Sequence, residues 1–101
     1  MNLQYIIRDF SKKDFVLVFQ LETNTCTLAS IFALLMERNI DLDEFHFHKT
    51  KMNQGSLMIH CQIERDRIGR TATMLDKLPG VVKLDWMESK RHGSGLWEPK
   101  K

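Results

Sequence analysis

The chain has 101 residues, 43% hydrophobic and 28% charged, with 15 Lys and Arg against 13 Asp and Glu for a formal charge of +2. That composition excludes wholesale disorder and fits one domain, since domains most often run to roughly 100–150 residues. The charge is uneven: Met1–Glu88 carries 11 basic and 12 acidic residues, while Ser89–Lys101 carries Lys90, Arg91, Lys100 and Lys101 against Glu98 alone, so the body lacks the dense positive field of nucleic-acid binders.

Met1–Asp14 has no basic start followed by an apolar run, so no signal peptide is expected; Leu3, Tyr5 and Ile7 alternate as an arm or an extra edge strand would. Phe15-Val16-Leu17-Val18-Phe19-Gln20-Leu21 is rich in β-branched and aromatic residues and predicts a strand. A polar break at Glu22–Cys26 follows, with Thr25 or Thr27 as helix N-cap. Leu28, Ile31, Phe32 and Leu35 then fall at the i, i+3, i+4, i+7 spacing of an amphipathic helix, which Asn39 ends in a left-handed conformation. The apolar stretch around Ile31–Met36 is far short of the ~20 residues that span a membrane. Ile40–Thr50 returns to extended chemistry, with Phe45 and Phe47 directed one way, as core residues, and His46 and His48 the other.

Lys51–Gly55 predicts a turn with Gly55 at positive φ. Leu57, Ile59, Cys61 and Ile63 alternate with Met58, His60 and Gln62 as a half-buried strand does. Asp66 is the expected N-cap of a second helix whose buried stripe is Ile68, Ala72, Leu75 and Leu78, weakened at Gly69. Pro79-Gly80 stops that helix, and Val81–Met87 supplies the last strand. The order strand, helix, strand, strand, helix, strand predicts an α+β, ferredoxin-like βαββαβ sandwich. Two right-handed βαβ halves build an antiparallel sheet with both helices on one face. The expected organisation is an arm over 1–14, the sandwich over 15–88 and a basic tail over 89–101, in which Leu96 and Trp97 are apolar enough to dock.

Catalytic chemistry is sparse. His46, His48 and His60 fall on the sheet face without helices, where three imidazoles and a water would suit Zn²⁺; solvated or interface histidines are the simpler reading. Cys26, just ahead of a helix, has no context of a nucleophile, and Cys26 and Cys61 form no CxxC pair, which points to a reducing cytoplasm. Asp41, Asp43 and Glu44 read as the solvated start of a strand rather than an acid–base pair. The third strand carries none of the aromatic residues on which an RNA-recognition motif stacks bases. No enzyme activity, cofactor, nucleic acid or membrane partner is expected.

Phe15–Glu88 resembles an ACT domain, a regulatory module of this topology that senses small molecules. The likeness lies in Leu28-x-x-Ile31-x-x-Leu34 running to Asn39-Ile40, and in Leu75-Asp76-Lys77-Leu78-Pro79-Gly80-Val81-Val82. Within that family, Asn24-Thr25-Cys26-Thr27-Leu28 and Leu75-Asp76-Lys77-Leu78 are similar to the short regulatory subunits of acetolactate synthase. The resemblance implies a homodimer that binds an amino-acid effector such as valine. Thr23, Asn24, Thr25, Cys26, Thr27 and Leu28 of one protomer would hold it, facing Asn39 and Ile40 of the other. It also implies a thiamine-diphosphate-dependent catalytic subunit as partner, or alternatively a stand-alone interaction module without ligand. Where the family usually has Asp-x-Pro-Gly, this chain has Thr23, Thr25 and Cys26, which places a Cβ where the family has glycine.

Overall fold

A computed structural model of the chain describes residues 12–22 and 27–89. The elements run β1 (Lys12–Glu22), α1 (Thr27–Glu37), β2 (Asp41–Lys51), β3 (Gln54–Glu64), α2 (Arg65–Asp76) and β4 (Val81–Glu88). The strands form one antiparallel sheet in the order β2-β3-β1-β4, so β3 and β1 are central and β2 and β4 are edges. This is the ferredoxin-like sandwich that the sequence predicts.

Strand alternation decides which face the helices cover. Phe15, Leu17, Phe19 and Leu21 of β1 and Leu57, Ile59, Cys61 and Ile63 of β3 are buried and form one core with Ile31 and Leu35 of α1 and Ile68 and Leu75 of α2. Each such large side chain contributes roughly 1.5–3 kcal/mol of transfer free energy. Leu28, Phe32, Leu78 and Leu84 close the rim of this core. The opposite face carries Val16 and Val18 on β1 and Met58 and His60 on β3.

Several local expectations give way to tertiary contacts. Thr27 is the first residue of α1, and its hydroxyl lies 3.2 Å from both the Glu22 and the Pro79 carbonyl oxygens, between which its one hydrogen is shared. α2 begins at Arg65, one residue before the expected Asp66 cap. Glu64 occupies the N-cap position without a side-chain cap bond, and its carboxylate bonds Arg67 at 2.9 Å instead. Asn39 takes the left-handed conformation, φ 58°, but in the β2–β3 turn that role falls to Asn53 at φ 64° rather than Gly55. Gly55 lies inside β3, where an added Cβ would come 2.6 Å from Cζ of Phe47. Phe45 and Phe47 do lie on the helix side, yet they are 56% and 41% exposed. Their strand is an edge among the described residues, and Phe32 of α1 packs edge-on against Phe45 with ring centroids 5.0 Å apart.

Ion pairs tie the element ends together: Arg65 to Glu88 by two 2.9 Å bonds, and Lys12 to Asp41 at 3.1 Å. Exposed pairs of this kind are worth at most about 1 kcal/mol each, so the apolar core sets the stability.

Candidate functional site

The segment 23–26, with Thr23, Asn24, Thr25 and Cys26, lies outside the described residues, as do Leu3, Tyr5, Ile7 and residues 90–101 of the basic tail. Both roots of that loop are placed. On one side Glu22 ends β1 and donates its backbone N–H to the Gly80 carbonyl at 2.8 Å; on the other Thr27 opens α1 and donates to the carbonyls of Glu22 and Pro79. The loop is therefore anchored on the α2–β4 turn, where Gly80 takes φ 91°. Thr27 is buried, and Leu28 packs against the core. The first turn of α1 has no acidic side chain to offset the positive end of the helix dipole.

Asn39 and Ile40 stand at the other end of α1: Asn39 is exposed and Ile40 is buried, with its N–H on the Leu35 carbonyl at 3.1 Å. The 11 residues of α1 hold the two groups about 16 Å apart at 1.5 Å per residue. One protomer does not bring Thr27 and Leu28 together with Asn39 and Ile40.

The three histidines do not gather into the arrangement that the zinc alternative requires. The Glu44 carboxylate lies 3.8 Å from His46 Nε2 and 3.9 Å from His60 Nε2, while His48 stands farther along β2, opposite Ser56. Among the described residues no three His, Cys, Asp or Glu side chains are placed to hold a metal ion. His60 is not solvated: it is 2% exposed, on a central strand between Val16 of β1 and Glu44 of β2. Cys61 is buried on the core side. Burial first, then the Asp43 and Asp14 carboxylates, push its thiol up to about 12, so it stays a protonated packing group.

A cavity of about 300 Å³ on the helix-free face, lined by Val18, Gln20, Ser56 and Val82 among others, was not legible in the sequence. Among the described residues, no helix is long and apolar enough to cross a membrane.

The described architecture defines a ferredoxin-like α+β domain of the form that ACT domains share. No family model matches the sequence, and no curated protein matches it. Solved structures do. The ACT domain of GTP pyrophosphokinase from Chlorobium tepidum superposes with a TM-score of 0.67 at 10% identity, over 75% of this chain and 99% of that one. The C-terminal domain of the MgtC protein from Mycobacterium tuberculosis gives 0.64 at 15% identity, over 78% and 89%. The 30S ribosomal protein S6 from Thermotoga maritima gives 0.60 at 12% identity, over 77% and 88%. At such identities the likeness establishes the fold and nothing finer.

Proposed function

We propose that this chain is a non-catalytic regulatory domain that binds a small molecule and relays its presence to a partner protein. The observation that carries this reading is the anchorage of the 23–26 loop: Thr27 and Glu22 hold its two roots onto Pro79 and Gly80. A ligand bound at the loop acts through its two roots on the turn that starts β4, so local binding has a mechanical route across the sheet. The positive end of the α1 dipole, with no acidic residue in its first turn, suits a carboxylate. Leu28 beside them suits an aliphatic side chain, which favours an amino acid of the valine type.

Completing such a site with Asn39 and Ile40 requires a second protomer, so the functional unit is a homodimer. The exposed Phe45 and Phe47 on edge strand β2 support that assembly. The finer assignment, a small regulatory subunit of acetolactate synthase in branched-chain amino-acid biosynthesis, rests on the loop and junction resemblance alone. Cys26 in place of a glycine favours a second reading, a ligand-free interaction module.

Thermal melting of the full chain with each amino acid tests the first reading. A ligand at 100 times its Kd adds about 2.7 kcal/mol, and each kcal/mol moves Tm by roughly 4–8 °C in a domain this size. Saturable stabilisation by valine, leucine or isoleucine is expected. No shift with any amino acid, together with retained binding to a purified acetolactate synthase catalytic subunit, would establish the ligand-free module instead. Failure to bind or alter that subunit would remove the finer assignment.

A further inference from the structure

We propose that the helix-free face of the sheet holds a second binding site, for a small uncharged aliphatic molecule bearing hydroxyl or carboxamide groups. The site is the cavity of about 300 Å³ at the end of the sheet where β1 finishes and β3 and β4 begin. That volume is at the lower end of the range of small-molecule pockets, roughly 300–1,000 Å³.

Two irregularities on opposite edges of the sheet shape it. On β2, Lys49 pairs with Gly55 and Lys51 with Gln54, which leaves Thr50 as an extra residue; on β4, Lys83 pairs with Gln20 and Val81 with Leu21, which leaves Val82 extra. A bulge turns a side chain out of the regular alternation, and both bulged residues line the cavity. Between them the central strands contribute Gln20 and Ser56, which face each other in register, with Gln54 at the rim and Val18 as apolar floor.

The lining selects the ligand. Gln20, Gln54, Ser56 and Thr50 each donate and accept hydrogen bonds, which matches hydroxyl and carboxamide groups. No Asp, Glu, Lys, Arg or His side chain is among the described residues that line the cavity. Of the titratable groups in register beside it, Lys83 lies opposite Gln20 with its ammonium 3.8 Å from Asp85, Asp85 lies opposite Val18, His48 lies opposite Ser56, and Glu22 and Lys51 both lie opposite Gln54, so charges of both signs stand around the cavity but outside its lining. The described lining itself supplies no counter-charge to a carboxylate or ammonium taken into the cavity, so it favours an uncharged molecule over a zwitterionic amino acid. The described lining offers no aromatic ring for stacking, and the branched Val18 and Val82 complement an aliphatic skeleton. The site therefore differs in place and chemistry from the amino-acid site proposed at the 23–28 loop, and neither depends on the other.

The test is a backbone-amide NMR titration of the full chain with isobutyramide and, in parallel, with isobutyrate, which keeps the skeleton and adds a charge. Isobutyramide is expected to shift the amides of Val18, Gly55, Ser56 and Val82 saturably, with isobutyrate leaving them unmoved at the same concentrations. Ser56→Ala and the exposed Gln20→Ala should each weaken isobutyramide binding about three- to tenfold, with the rest of the spectrum unchanged. The proposal is overturned by an absence of saturable shifts, by equal binding of isobutyrate, by shifts centred on Leu28 and Ile40, or by unaltered affinity in both variants. A response to valine at Leu28 and Ile40 would speak only to the loop site.

Discussion

Glu64 shows how a single side chain couples folding to pH. Its partial burial acts to raise the pKa, but hydrogen bonding from its own backbone N–H and from Arg67, with the charges of Arg67 and Lys12, outweighs this and holds it below the ordinary 4.5. A depressed folded-state pKa means that the stabilisation is complete above 4.5 and is lost as pH falls through the lower, folded value. Arg67→Gln should therefore bring Glu64 back toward 4.5 and flatten that part of the acid limb, read by carboxyl NMR titration beside urea midpoints across the same pH range. An unmoved Glu64 titration in the variant would contradict this account. Nothing in the sequence announces the pair: Glu64 and Arg67 become partners only because α2 starts at Arg65, which places them one turn apart.

Two glycines matter at the scale of elements, with opposite signs. Gly69 sits on the exposed side of α2, and a Cβ there meets nothing within 4 Å. Gly69→Ala should stabilise the protein by about 0.5–1 kcal/mol, seen as a raised urea midpoint with an unchanged m-value. Gly55 in β3 is buried, and its added Cβ would lie 2.6 and 2.7 Å from the Phe47 ring and 3.2 Å from the His48 carbonyl oxygen. Gly55→Ala should cost about 1–3 kcal/mol, and most of that penalty should vanish in a Phe47→Ala background; a penalty that is the same in both backgrounds would place the clash elsewhere. The helix penalty at Gly69 was legible from propensity alone. The role of Gly55 was not, because the sequence suggests a turn glycine where the register demands an uncluttered crossing under Phe47.

For the molecule as a whole, β2 is the informative element. Among the described residues it is an edge strand with an unpaired side, and Phe45 and Phe47 stand well exposed along it on the helix side. Exposed aromatic residues beside an open edge are a surface that a soluble chain normally covers. Sedimentation equilibrium should find the proposed dimer, and Phe45→Asp with Phe47→Asp should shift it to monomer while leaving far-ultraviolet dichroism unchanged. A monomeric parent chain would remove the two-protomer effector site along with the dimer.

The alternation of Leu57, Ile59, Cys61 and Ile63, the helical spacing of Leu28, Ile31, Phe32 and Leu35, and the Pro79-Gly80 stop determined the βαββαβ order and hence the sandwich. Those signals are local: each reports which side of its own element faces apolar surroundings. Coverage is a different quantity, decided between elements. Alternation told which way Phe45, Phe47 and His60 point, but only strand order left the two phenylalanines at an exposed edge and set His60, 2% exposed, on a central strand. The bulges at Thr50 and Val82, and with them the cavity beside Gln20 and Ser56, exist only because paired strands of unequal residue count must share one register.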